Sequence, residues 1–137
     1  MNCGEYLTQI TVDTSTVIAV MLNEPEKAKL IELTEDHIVI APHSLHWEIG
    51  NAFSAMFKRN RLSLIEAISA LKVYDMIPIQ FVDIKLSDAL KLAESENIYT
   101  YDAYFLICAI KHRTPLLTLD DRLKSAAINK KIKALEV

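Results

Sequence analysis

Apolar residues recur along this 137-residue chain in two rhythms, short β-branched runs and longer stretches with three- and four-residue steps. The run Ile10-Thr-Val12 stops at Asp13-Thr-Ser15 before the helical-looking Thr16 to Leu22, which predicts a strand leading into a helix. Asn23-Glu-Pro-Glu26 offers an N-cap and a first-turn proline for a second helix over about residues 24 to 35. His37-Ile-Val-Ile40 reads as a buried strand ended by Pro42. After it, Leu45, Ile49, Ala52, Phe53 and Met56 mark a helix that carries Glu48. Leu62, Leu64, Ile65, Ile68, Leu71 and Tyr74 fit an amphipathic helix, Ile79 to Ile84 alternates as a strand, and Ser87 to Glu96 is again helical. Thr100 can cap a helix from Tyr101 to about Lys111, Pro115 to Leu119 reads as a strand, and Asp120-Asp121 opens a short helix. Ile132 to Val137 can add an edge strand.

Strands separated by helices imply right-handed crossovers, so the expected fold class is α/β. It has a central parallel sheet of about four to five strands flanked by helices, in one domain over residues 1–137. Ligands of such sheets collect beyond the carboxyl ends of the strands. Asp13 and Asp120 both follow strands and are expected in that crevice.

Composition narrows the class further. A hydrophobic content of 51% supports one substantial core, and two glycines and four prolines leave little room for long linkers. The N-terminal MNCGEYLTQITVD lacks the pattern of a signal peptide, and no apolar run approaches the roughly 18 residues of a membrane span, so the expectation is a soluble, cytoplasmic protein. Cys3 and Cys108 share no short spacing, which argues against a disulfide framework, and Cys108 sits in an apolar run as a small core residue. The net charge of −3 gives no general attraction to nucleic acid. Much of that negative charge is offset if four acids gather on a metal, and basic residues cluster at Lys58-Arg-Asn-Arg61, Lys111-His-Arg113 and Lys130-Lys-Ile-Lys133.

Each of Asp13, Asp102 and Asp120 alone has an ordinary explanation as a helix N-cap or a first-turn acid. Glu48 does not, because bulky apolar residues, Trp47, Ile49 and Phe53, surround it in sequence. Gathering the four costs repulsion and desolvation unless a cation binds them. An all-carboxylate set favours Mg²⁺ or Mn²⁺ over zinc. Asn51, three residues after Glu48, can share its helix face, while Ser15 and Thr118 can support the acids by hydrogen bonds. A zinc site from His43, His46 and Glu48 is disfavoured because positions 46 and 48 do not share a helix face. A receiver-type site is disfavoured because the strand Leu116 to Leu119 carries no lysine. A non-catalytic α/β binding module is the other class. Trp47, Tyr99, Tyr101, Tyr104 and Phe105 could stack on RNA bases, but core packing is expected for most, with Tyr99 and Tyr101 the better candidates.

The ordered set Val12-Asp-Thr-Ser15, Glu48-Ile-Gly-Asn-Ala52, Tyr101-Asp-Ala103 and Leu117-Thr-Leu-Asp-Asp-Arg-Leu123 resembles PIN-domain ribonucleases of the VapC toxin type. The resemblance spans nearly the whole chain. It implies a Mg²⁺- or Mn²⁺-dependent endoribonuclease, often a homodimer, that cuts RNA and is held inactive by a cognate antitoxin. Asp13, Glu48, Asp102 and Asp120 match the family's acidic positions, and Ser15, Asn51 and Thr118 its polar supporting ones. Asp13 and Asp102 are the expected direct metal ligands, with Glu48 and Asp120 acting through water or as the base. Asp121 adjoins Asp120, and direct succession from the strand favours Asp120 as the inward acid. An RNA-processing nuclease outside any toxin system is the alternative.

Overall fold

A computed structural model describes residues 8–137, so Cys3 and the reading of the N-terminal segment lie outside the described residues. Four strands, β1 (Gln9–Val12), β2 (Ile38–Pro42), β3 (Ile79–Val82) and β4 (Leu116–Leu117), alternate with seven helices. The helices are α1 (Thr14–Met21), α2 (Lys27–Thr34), α3 (Ser44–Lys58), α4 (Leu64–Met76), α5 (Leu86–Glu96), α6 (Thr100–His112) and α7 (Asp121–Asn129). All strand pairs are parallel, in the order β3-β2-β1-β4. The sheet is therefore the expected α/β architecture, and its strands all end at one edge.

The central strand explains itself from its residues. Ile10, Thr11 and Val12 are β-branched and buried, and Thr11 pairs with Ile40 on one side and Leu116 on the other. Helix α6 lies against β1 and β2, with α5 packed on it, while α1 contacts α2, α3 and α4. Leu45, Phe105, Leu106, Leu116 and Leu117 are fully enclosed in the core. Cys108 is buried there as expected, and burial pushes its thiol up to about 11, with Thr11 and Lys111 opposing the shift. Helix α4 begins with a full capping box, Ser63 and Glu66 exchanging side-chain and backbone hydrogen bonds.

Three local expectations need correction. Asn23 is not an N-cap but a left-handed residue (φ 56°) just past α1, and α2 starts later, at Lys27. Asparagine tolerates that conformation, so it ends the first helix instead of starting the second. Thr100 is the first residue inside α6, with Tyr99 at the cap position and no side-chain cap bond. The edge strand over Ile132 to Val137 reduces to one parallel bridge, Leu116 to Ala134, flanked by hydrogen bonds from Leu116 N to Lys133 O and from Leu135 N to Leu116 O. Only two residues of β4 remain in the ladder to pair with it, because the chain beyond Leu117 turns its polar groups toward Asp13 and Ser15.

Candidate active site

The carboxyl edge of the sheet collects the acids. Asp13 follows β1 directly and is the N-cap of α1, accepting from Thr16 N at 3.2 Å. Its carboxylate is only 4% exposed. Thr118 Oγ1 donates to Oδ2 at 2.6 Å, and Ser15 Oγ donates to Oδ1 at 2.8 Å with Oδ2 at 3.0 Å. Each hydroxyl is itself held: Leu119 N donates to Ser15 Oγ at 2.9 Å, and Asp120 N to Thr118 Oγ1 at 3.0 Å. Ser15 and Thr118 thus tie the end of β1 to the end of β4. Capping alone does not require this bracket, since it reaches across the sheet.

Asp120 caps α7, accepting from Arg122 N and Leu123 N, and stands three residues beyond β4 instead of directly after it. Both Asp120 and Asp121 are exposed, but Asp120 is the acid of the pair whose charge acts on both Asp13 and Asp102, while Asp121 lies in the first turn of α7. Glu48 lies in the second turn of α3, and Asp102 in the first turn of α6. The four carboxyl groups feel one another. Burial raises Asp13 above the ordinary carboxylate range, against the lowering hydrogen bonds of Thr118, Ser15 and Thr16, with Asp120 adding a further rise. Burial also raises Asp102, as does Asp120, whereas Arg122 lowers it. Glu48 is pushed up to about 8, by burial first and by Asp102 next.

Glu48 also carries the site's unsatisfied polarity. Its Oε2 is buried without a hydrogen-bond partner, and so are Thr14 Oγ1 and Ser44 Oγ. These two hydroxyls are near enough to ease the Glu48 shift, yet neither completes a bond to it. Buried orphan groups of this kind ask for water or a cation. Among the described residues, no three Asp, Glu, His or Cys side chains converge into a ready cage. A donor set of spaced carboxylates with free hydroxyls fits a hard divalent ion that keeps several waters. It does not fit a desolvated tetrahedral zinc centre.

Other expected residues lie elsewhere. Asn51 is exposed, and among the described residues its side chain makes no hydrogen bond to Glu48. Trp47 is 63% exposed and not part of the core, whereas Phe105 is core. His43 pairs with Asp83 at 3.1 Å and stacks on Phe81, while His46 faces Tyr74, so the two imidazoles serve different neighbours. The cluster Lys58 to Arg61 sits at the far end of α3, about 15 Å along the helix from Glu48. Arg113 and Lys130, Lys131 and Lys133 line a separate pocket of about 490 Å³ beside Pro115, where β4 begins. Thr14, Ser44 and Arg122 were not anticipated. Thr14 and Arg122 adjoin acids already singled out, and Ser44 lies one helical turn before Glu48, which were the signals in the sequence.

With this geometry in place, the PIN domain family matches residues 10–129, and the chain belongs to that family. Its members are generally nucleases, which sets the class of this protein. Among solved structures it is similar to PAE2754 from Pyrobaculum aerophilum, with 22% identity over 87% of this chain and 79% of that one and a TM-score of 0.68. It is also similar to a chain of VapBC2 from Rickettsia felis bound to a DNA fragment from their promoter, with 13% identity over 93% and 98% of the two chains and a TM-score of 0.66. No curated protein sequence shows significant similarity to it. No helix among the described residues is long and apolar enough to cross a membrane.

Proposed function

We propose that this chain is a Mg²⁺- or Mn²⁺-dependent endoribonuclease, a hydrolase that acts as the toxin of a toxin–antitoxin pair. The observation that carries the reading is the set Asp13, Glu48, Asp102 and Asp120 gathered at one sheet edge, three of them with raised pKa values that Arg122 offsets only at Asp102. A protein maintains such repulsion where a cation offsets it. Asp13 and Asp102 are the residues that would hold the ion directly, with Asp120 and Glu48 acting through water or as the base. When bound, such an ion orients a phosphate, lowers the pKa of a bound water and neutralises charge growing on the phosphorus oxygens. Thr118 and Ser15 fix the direction of the Asp13 carboxylate. Glu48 or Asp120 would accept the proton of the attacking water, and Glu48 can do so only in its ionised form, which a bound cation would favour.

Two features support a protein partner. Helix α4 exposes Leu64, Ile65 and Ile68, with Ile65 at 83%, and an apolar cleft of about 460 Å³ opens between Val17, Val20, Ile31, Val73 and Met76. The VapBC2 neighbour from Rickettsia felis is a structure bound to promoter DNA, which supports an antitoxin as that partner. An antitoxin that places an arginine among the carboxylates would satisfy them bidentately and exclude the metal. The toxin is further expected to be a homodimer. The test is cleavage of single-stranded RNA with Mg²⁺ and with chelator, by wild type and by folded Asp13→Asn and Asp102→Asn proteins. Near-normal cleavage by Asp13→Asn removes Asp13 from the site. Harmless expression of an active enzyme, with no small partner recovered from its native cells, would leave an RNA-processing nuclease and end the toxin reading.

A further inference from the structure

A second cleft opens along the same sheet edge, where β2 and β3 end. Its volume is about 530 Å³, and His43, Ser44, Trp47, Asp83, Tyr101 and Tyr104 are among the residues that line it. The cleft adjoins the acidic site along the chain of α3 and α6. Ser44 belongs to both, lining the cleft while its hydroxyl eases the proton affinity of Glu48. Trp47 and Tyr101 immediately precede Glu48 and Asp102 in the chain. Trp47 is 63% exposed and Tyr101 46%, and Tyr101 meets Tyr104 edge-on with ring centroids 6.1 Å apart. The two open rings come from the N-terminal portions of two different helices, α3 and α6.

We propose that this cleft takes an unpaired nucleobase next to the phosphate cut at the carboxylates, stacked on Trp47 and Tyr101. The inference rests on the nuclease reading and adds a base subsite to it. Flat aromatic faces suit a flat ligand, whereas the aliphatic surface of α4 suits another protein chain. Polar groups at the cleft wall, the exposed His43–Asp83 pair, supply donors and acceptors that a base edge can use. Adjacency to the carboxylates is the deciding observation, since the cleft-lining Trp47 and Tyr101 directly precede Glu48 and Asp102 on α3 and α6. A strand whose phosphate lies at Asp13 and Asp102 must carry its neighbouring base somewhere along this edge, and the aromatic cleft adjoins it. A duplex cannot present a base there without unstacking, so the subsite selects single strands.

The single tryptophan of the chain makes the test direct, because all indole emission comes from Trp47. The full-length Asp13→Asn protein, in chelator, is titrated with a short single-stranded RNA, with the same RNA carrying one abasic position, and with duplex RNA. Saturable change of Trp47 emission with the single strand, weaker with the abasic strand and absent with duplex, is the expected result. Trp47→Leu and Tyr101→Leu should each weaken single-strand binding by about 5- to 150-fold, the range for loss of one stacked base, with Trp47→Phe retaining most of it. Unchanged emission with RNA that measurably binds overturns the subsite, and so does cleavage by Trp47→Leu with unaltered KM. Emission that changes only with protein concentration assigns the cleft to a second copy of the chain and likewise overturns it. Absence of metal-dependent cleavage in wild type, with the emission change intact, would instead end the nuclease reading and leave the base subsite standing.

Discussion

Replacing Thr118 with valine isolates the hydroxyl that aims Asp13. The side chain is 1% exposed, and valine keeps its shape while removing two hydrogen bonds, the donation to Asp13 Oδ2 at 2.6 Å and the acceptance from Asp120 N at 3.0 Å. With Asp13 protonated, both are neutral bonds worth about 1 kcal/mol each, so the loss is about 2 kcal/mol. With Asp13 ionised, the first becomes charge-assisted and the total rises to about 3 to 4 kcal/mol. The direction with pH follows from linkage. The folded pKa of Asp13 is raised above 3.8, so its burial costs nothing below that value, and stability falls as pH rises through the folded pKa. Thr118 is the strongest influence opposing that rise, and its removal extends the fall to higher pH and so enlarges it. Urea unfolding of metal-free wild type and T118V, at about pH 4 and about pH 8, should therefore show a larger difference at the higher pH. Thr118→Ser, which keeps the hydroxyl, should recover most of the loss at pH 8 and most of the cleavage activity. A difference that is equal at both pH values, or larger in acid, would falsify the account of Thr118 as a partner of an ionised Asp13.

Glu48 titrates from 4.5 unfolded to about 8 folded, so its cost to stability is absent in acid and grows as pH rises toward 8. In metal-free protein, Glu48→Gln should match wild type in Tm at about pH 4 and exceed it by about pH 8, by an amount limited by the partial solvent access of the site. A pH-independent difference in melting curves refutes this. In the core, Leu106→Ala should cost about 2 to 5 kcal/mol in urea unfolding, since Leu106 is fully enclosed against the sheet, and a loss below about 1 kcal/mol would contradict its central place.

The readable parts of the sequence were those in which local chemistry and tertiary role agree. Ile10-Thr-Val12 is β-branched because it is buried on both sides of a parallel ladder, and Asp13 marks its end because one carboxylate serves both as helix cap and as site acid. Helix α4 was legible from its apolar positions between Leu62 and Tyr74, while the local capping box of Ser63 and Glu66 that starts it was there to be read and was not used. What failed depended on distant parts of the chain. Trp47 looks like a core residue by type, and only the placement of α6 and β3 shows that it faces an open cleft. Asn51 shares the spacing of Glu48 but not its neighbours. The Ser44 hydroxyl lies one helical turn before Glu48 on α3, a spacing that was there to be read, whereas Thr14 is brought to Glu48 from the end of β1, which no spacing rule encodes.

The hydroxyl bracket at Asp13 has a consequence for the moment at which the protein becomes active. Ser15 and Asp13 are made early, but their partners Thr118, Leu119 and Asp120 lie more than a hundred positions later, and β4 must dock beside β1 before the bracket closes. Chains emerge from the ribosome N-terminal end first. A growing chain therefore carries Asp13, Glu48 and even Asp102 without a directed Asp13 carboxylate or a fourth acid. Assembly of the site therefore waits for the segment from Thr118 to Asp120 and for the docking of β4 beside β1, whatever else of the fold has already formed.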